Sequence, residues 1–576
     1  MKKLLVYLKD YKKETVLAPL FKMLEAGFEL FVPLVMAAVI DHGIADADIP
    51  YVLRMGLLLV LLGLIGLTCS ITAQYFAAKA AVGFSTKLKH ALFKHIQTLS
   101  FSEMDMLGTS TMITRMTSDA NQVQNGVNMV LRLFLRSPFI VFGAMIMAFT
   151  IDVKAAFIFV ITIPLLSVVV FGIMMITMPL YKKVQAGLDR ILGKTRENLT
   201  GVRVIRAFHK EKQETEEFEQ GNAELTHRQL FVGKLSALTN PVTFVVVNAA
   251  TIALIYTGAV RVDTGYITQG EVVALVNYMS QILIELVKLA NLIITITKAL
   301  ACANRIESVF EIQSCMEWKE NTGREKAGIS TAGEAPCAVE FDHVCLTYRG
   351  AGAESLSDIH FRAEKGQTIG IIGGTGSGKS SLVHLIPRFY DVTAGSVKID
   401  GIDVKDYAME ELREKVGMVM QKAVLFQGTI RENLAWGKPD ASEEEMNSAL
   451  EISQAKEFVD AKPGGLDEKI AQGGKNLSGG QRQRLTIARA VVGRPEILIL
   501  DDSASALDYA TDARLRKAIR EMEGNATVFI VSQRTSSIQH ADQIIVLEDG
   551  KIAGIGRHEE LLENCEVYKE IHYSQA

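Results

Sequence analysis

Eight consecutive residues, Gly373-Gly374-Thr375-Gly376-Ser377-Gly378-Lys379-Ser380, carry the most specific chemistry in this sequence. They match G-x-x-x-x-G-K-[ST], follow an apolar run at 368–372 and precede a helical stretch from Ser381, which is the context the motif requires. The glycines let backbone N–H groups wrap phosphate oxygens, helped by the helix that follows. Lys379 would then reach the β- and γ-phosphates of a nucleotide, and Ser380 would ligate Mg2+. A second apolar run, 497–500, ends at Asp501, where a carboxylate can hold Mg2+ through water. Just before it lies Leu477-Ser478-Gly479-Gly480-Gln481. Taken alone, that pentapeptide could be an ordinary glycine turn ahead of a helix.

The elements that must position these residues belong to the second half of the chain. From 338 onward, short apolar runs (339–348, 368–372, 416–420, 497–500, 528–531, 544–547) alternate with helical stretches, which reads as an α/β domain. Ahead of it, 316–336 is polar and contains glycine, as a linker would be. The first 310 residues are of another kind. Six apolar segments, 16–40, 52–78, 127–150, 155–180, 236–260 and 272–296, meet the roughly 20 residues a bilayer-spanning helix needs.

The expected fold is therefore multi-domain. An all-α six-helix transmembrane domain (1–310) and a linker (311–337) precede an α/β phosphate-loop domain (338–576).

Charge fixes the expected orientation. The N-terminal MKKLLVYLKDYKK carries five lysines, and the connections at about 81–125 and 181–235 are rich in basic residues. The opposite loops hold only Lys154 and Arg261. The N-terminus, both long connections and the α/β domain are thus expected in the cytoplasm. Periodic apolar residues such as Phe93, Ile96 and Leu99 suggest helices that continue below the membrane, either as solvated stalks or as a docking surface. The charged interruption in the first apolar run argues against a cleavable signal, and its amphipathic start suggests an interfacial helix.

Whole-chain averages conceal this division. Across 576 residues the 61 Lys+Arg nearly balance 65 Asp+Glu, so nothing points to nucleic acid as a partner. The mean hydropathy is +0.20. Six cysteines without a C-x-x-C pair exclude a disulfide scaffold and give no zinc signature by spacing.

Taken together, the motifs make the chain resemble a half-transporter of the ATP-binding cassette exporters over nearly its whole length. The resemblance implies that ATP with Mg2+ is bound by residues 373–380 and Ser381. It also implies that Tyr348 in VCLTYRG stacks on adenine, and that Gln421 is the family's Q-loop glutamine at the nucleotide and Mg2+. Ser505-Ala-Leu-Asp508 matches the D-loop, and Phe101-Ser-Glu and 201–208 fit the membrane half. In this family two such chains pair head to tail. Each ATP then lies between one chain's phosphate loop and the other chain's LSGGQ, here Leu477 to Gln481.

Three departures stand out. The family usually has glutamate after the Mg2+ aspartate, to position and activate water; this chain has Asp502. One methylene retracts the carboxylate by about a bond length, and a misplacement near 1 Å can cost roughly 10²-fold in rate. The family's switch histidine is replaced by Gln533, which lacks imidazole proton chemistry. Gln472 stands where an acidic residue is usual. The expectation is a chain that binds ATP but hydrolyses it poorly in its own site. Its LSGGQ would complete the active site of a different partner half-transporter.

For cargo, Lys22, Glu25 and Glu29 share one face of the first span, while Glu285 and Lys288 lie on the last. One reading is a cavity wall that takes cationic amphipathic compounds; the other is local pairing of Lys22 with Glu25. The leading functional expectation is multidrug-like export by alternating access at the plasma membrane. A lipid or peptide exporter shares that mechanism, and a nucleotide-gated, non-pumping regulator is the alternative from another class.

Overall fold

A computed structural model describes residues 3–319, 337–503, 507–522 and 524–575. Most of the linker and the D-loop residues Ser505 and Ala506 lie outside the described residues. The chain divides into two compact units. One contains Met1–Gln97 and Ser110–Ile312; the other contains Thr98–Thr109 and Gln313–Ala576. The second unit thus includes a segment, Thr98–Thr109, from the middle of what the sequence reads as membrane domain.

In the first unit, six helical stretches are long and apolar enough to cross a membrane: Leu4–Ile44, Ile49–Thr98, Thr109–Ile151, Val153–Thr200, Glu211–Asp263 and Gln269–Glu311. Each apolar segment of the sequence falls inside one of them. The helix Ile49–Gln97 has 49 residues, so at about 1.5 Å per residue it runs to about 74 Å, more than twice a hydrocarbon core. The surplus is the helical continuation expected from its periodic apolar residues Phe93 and Ile96.

The helices approach through small residues, as expected where lipid offers no hydrophobic contrast. Ala26, Ala144, Ala148, Ala155, Ala156 and Ala274 are all buried in one cluster. A Cβ on Gly126 would sit 2.2 Å from the Ala299 Cβ, and one on Gly270 would sit 2.3 Å from the Ala37 carbonyl. Large apolar side chains such as Leu57, Val168 and Val245 face outward.

The second unit holds strands β1 (Cys337–Leu346), β2 (Leu356–Glu364), β3 (Thr368–Gly373), β4 (Ala394–Ile399), β5 (Ile402–Asp403), β6 (Val416–Val419), β7 (Gly428–Thr429), β8 (Lys469–Ile470), β9 (Ile497–Asp501), β10 (Thr527–Val531), β11 (Gln543–Glu548) and β12 (Lys551–Gly556). Two sheets organise it. One has the order β12-β11-β3-β10-β9-β6, and the other β2-β1-β4-β5.

Strands β6, β9, β10, β3 and β11 run parallel, while β12 pairs antiparallel at the edge. Every residue of β9 and β10 is buried, because a parallel strand covered on both faces needs a continuous apolar run. The other sheet is antiparallel. Its β2 alternates buried and exposed positions, which makes it far less conspicuous in sequence.

The helix Phe101–Leu107 belongs to this unit. Ser100 caps it through a reciprocal arrangement with Glu103. Phe101 stacks on Phe389 with ring centroids 4.5 Å apart. Asp105 accepts a 2.6 Å hydrogen bond from the Tyr390 hydroxyl.

Candidate nucleotide site

The phosphate-loop motif forms the turn between β3 and the helix Lys379–Leu385. Its geometry depends on glycine at two points. At Gly373 a Cβ would lie 2.1 Å from the Leu547 carbonyl, so the loop could not leave the sheet this closely. Gly378 has φ +94°, and a Cβ there would meet the Ser355 carbonyl at 2.9 Å. Gly374 and Gly376 have open space where a Cβ would be, although the φ of +87° at Gly376 also favours glycine.

The loop opens on a cavity of about 730 Å³, and Lys379, Ser380, Gln421, Asp501, Asp502 and Gln533 share its wall. Thr375, Gly376, Gly378 and Ser381 also line it. Lys379 Nζ donates to the carbonyls of Gly373 at 2.9 Å and Gly374 at 2.6 Å. Burial holds its ammonium below the usual lysine range, against the pull of Asp502 and Asp501. Ser380 Oγ donates to Asp501 Oδ1 at 2.9 Å. This pairing of a hydroxyl with a deeply buried carboxylate is the hard oxygen donor set that suits Mg2+. Ser377 Oγ is buried and has no hydrogen-bond partner among the described residues, a polar atom that a loop built for an anionic ligand can use.

Asp502 follows β9 with φ +45° and donates its backbone N–H to the Val531 carbonyl at 3.1 Å. Gln421 Nε2 donates to Asp502 Oδ2 at 3.4 Å. Burial, reinforced by the charge of Asp501, pushes the Asp502 carboxyl above the usual carboxylate range; Gln421 and Lys379 work in the opposite direction. Gln533 is exposed on the cavity wall, and its carbonyl accepts from Gln575 Nε2 at 2.6 Å. Tyr348 stands beside the loop, where its hydroxyl donates to Ser381 Oγ at 2.8 Å. Burial pushes that hydroxyl above the ordinary tyrosine range.

The LSGGQ residues lie elsewhere. None of the five lines the cavity. Ser478 caps the helix Gly479–Val491, with its N–H donating to Gln481 Oε1 and its Oγ accepting from the Gln481 N–H. Leu477 is buried, while Gly479 has open space in front of it. Asp508 is also outside the cavity and caps the helix Tyr509–Arg520 through Thr511. Gln472 begins a short turn, Gln472–Gly474, and is exposed.

Two neighbours of the site were not singled out by sequence. His384 places Nε2 3.6 Å from Asp501 Oδ2. Its position four residues after Ser380, one turn along the same helix, was the available signal. Gln575 braces Gln533 from 42 residues away and gives no local sign.

In the first unit, the three carboxylates at membrane depth are all paired. Lys22 Nζ donates to Glu25 at 2.5 Å and to Ser70 at 3.0 Å, which is the local pairing raised as an alternative. Arg136 bridges Glu29 and Glu285, at 2.6 Å to each. Glu285 also accepts from Ser137 at 2.7 Å and from Lys288 at 2.8 Å. No motif singles out Arg136, although an arginine inside an apolar span is itself a visible signal.

Six apolar helices and an α/β domain with this loop, carboxylate and glutamine around one cavity define an ATP-binding cassette exporter half. Comparison with known proteins agrees. The family model described as ABC transporter transmembrane region matches residues 15–286, and that described as ABC transporter matches 356–505. An uncharacterized ABC transporter ATP-binding protein of Mycobacterium tuberculosis is 38% identical over 99% of this chain and 97% of its own length.

A Bacillus subtilis protein provisionally named multidrug export ATP-binding/permease protein YgaD is 32% identical, over 99% and 98%. The solved structure of a bacterial Atm1-family ABC exporter with ATP bound has the same fold. Its TM-score is 0.79 at 22% identity, covering 98% of this chain and 99% of that one. The chain belongs to the ABC transporter family.

Proposed function

We propose that this chain is the altered-site subunit of a heterodimeric exporter for hydrophobic or amphipathic compounds. One observation carries the reading. Asp502 and Gln533 line the same cavity as the intact Lys379 loop, at the positions where a glutamate and a histidine are expected.

Lys379 and the loop N–H groups would hold the phosphates, Tyr348 the adenine, and Ser380, Gln421 and Asp501 the Mg2+ that neutralises phosphate charge. Asp502 would support hydrolysis poorly: its carboxylate is one methylene short, and burial favours its protonated form. Gln533 offers an amide where the γ-phosphate needs a switchable charge. ATP in this site would persist and keep two nucleotide domains together.

The LSGGQ edge, with Ser478 and Gly479 exposed, would complete the partner's site, where most hydrolysis would occur. The spans would alternate between cytoplasmic and outward access in the plasma membrane, with the nucleotide domain in the cytoplasm. The provisional name of the Bacillus subtilis relative supports a multidrug-like cargo. The network of Glu29, Arg136, Glu285 and Lys288 pairs two acids with two bases, which favours amphipathic over strictly cationic compounds.

Purification of the tagged chain from its native membrane tests the pairing. A second, different half-transporter with glutamate and histidine at the two altered positions is expected in equal amount. A complex made only of this chain would contradict the reading.

A further inference from the structure

On the outer face of the antiparallel sheet, Asp342, His343 and His360 each offer a ligand atom, and these three atoms lie within 4.8 Å of one another. The grouping follows from the backbone. In the β1–β2 ladder Phe341 opposes Phe361 and Val344 opposes Ile359, so β1 has one residue more than β2 between those pairs. That bulge ends the alternation and lets Asp342 and His343 both face the side on which His360 stands. His343 adopts φ +47° to make the bulge. Strand β4 packs against it so closely that a Cβ on Gly395 would lie 2.2 Å from the His343 carbonyl. The kink is built in from both neighbouring strands.

The side chains are arranged as a metal site needs them. His343 Nδ1 and Asp358 Oδ1 are 2.6 Å apart. A carboxylate there accepts, so Nδ1 carries a proton, and in the neutral imidazole that a metal requires the lone pair is then on Nε2. An outer carboxylate orienting a ligating histidine is the usual support of such a ligand. The rings of His343 and His360 stack with centroids 5.1 Å apart, and His360 Nδ1 is 4.0 Å from Asp342 Oδ1. The charge opposing a cation is Lys398, 3.5 Å from Asp342 and 3.7 Å from Glu340. His343 and His360 are exposed and Asp342 is half-buried. Small side-chain rotations therefore suffice to reach the roughly 3.3–3.5 Å ligand spacing of a tetrahedral site with metal–ligand bonds near 2.0–2.2 Å.

We propose that Asp342, His343 and His360 form a binding site for a divalent transition metal of the Zn2+ class, with water completing the coordination. Two imidazoles and one carboxylate favour such an ion over Mg2+. The site clamps β1 to β2, and the connection between those strands carries residues 351–355, which line the nucleotide cavity, as well as Tyr348 beside it. A metal held here therefore tightens nucleotide binding.

The test uses the full chain in detergent, stripped with chelator and titrated with Zn2+, and with Co2+ for its visible absorption. Wild type should bind one more Zn2+ than the His343→Ala/His360→Ala variant and show Co2+ bands the variant lacks. Asp358→Asn, which keeps all three ligands, should weaken Zn2+ by about 10-fold. Equal stoichiometry and equal Co2+ spectra in wild type and the double variant would overturn the site.

A fluorescent ATP analogue, binding to both proteins without Zn2+, verifies that the variant is folded. Zn2+ should tighten that analogue in wild type alone. An identical response in the variant would overturn the coupling. Only this last arm rests on the nucleotide reading, so failure of the analogue to bind either protein would count against that reading and leave the metal result to stand alone.

Discussion

Gln421 Nε2 donates to Asp502 Oδ2 at 3.4 Å, so the side chain expected at nucleotide and Mg2+ is bonded to the aspartate that replaces the expected glutamate. The shorter carboxylate follows β9 directly, accepts from Gln421 and feels the charges of Asp501 and Lys379. In the proposed reading, this is how one methylene would separate holding ATP from cleaving it: the groups expected to bind are in place, while the carboxylate that would have to reach outward is one methylene shorter.

Lengthening that group should restore chemistry. In the purified complex, Asp502→Glu together with Gln533→His should raise hydrolysis in this chain's own site by about 10- to 100-fold. The measurement is nucleotide trapping resolved by subunit, with label appearing on this chain. No gain with either change or both would mean these residues do not set the asymmetry.

Asp502 also makes a prediction about pH. Its folded carboxyl titrates above its unfolded value, so in the interval between the two the folded state binds more protons. Stability then falls as pH rises through that interval, and the penalty persists at neutral pH. Asp502→Asn should therefore raise the thermal midpoint of the chain at pH 7, and the difference should shrink as pH drops through the carboxylate range. A pH-independent difference would contradict the assigned cause.

Much of this site could be read in the sequence because its parts are local. The loop, Ser380 and the start of the following helix are contiguous, and β3, β9 and β10 are uninterrupted apolar runs. The six spans were legible for the same reason. What was not legible depends on residues distant in sequence. Arg136 meets Glu29 and Glu285 across separations of 107 and 149 residues. Nothing near Thr98–Thr109 marks it as part of the second unit. The bulge at His343 is set by the register of two neighbouring strands, and its ligand atoms come from positions that a strict period of two would place on opposite faces.

Arg136 should matter more for stability than Glu29 beside it. Replacing it with Met leaves the deeply buried Glu285 with Ser137 and Lys288 as its partners among the described residues. Breaking a buried ion pair from one side costs about 3–5 kcal/mol, and thermal unfolding in detergent should show a loss of that order. Glu29→Gln should cost less, since that side chain is 41% exposed. An Arg136→Met protein as stable as wild type would show that the network contributes nothing.

If adenine stacks on Tyr348 as proposed, its ring and its hydroxyl contribute separately to nucleotide affinity. Tyr348→Phe removes only the hydrogen bond to Ser381, worth about 1 kcal/mol. Tyr348→Ala also removes the ring, for which base stacking is worth about 1–3 kcal/mol. Titration with a fluorescent ATP analogue should therefore give a small loss for Phe and a clearly larger one for Ala. Equal losses would place the base elsewhere.

In the proposed heterodimer this chain's own nucleotide site holds ATP while its partner's does the turnover. Steady-state Mg-ATPase activity of the purified native complex carrying Asp502→Asn in this chain tests that division of labour. Most of the activity should survive, because the replaced carboxylate contributes little to the rate. Activity falling to background would show that Asp502 is a working catalytic base and that this chain's site is not the idle one.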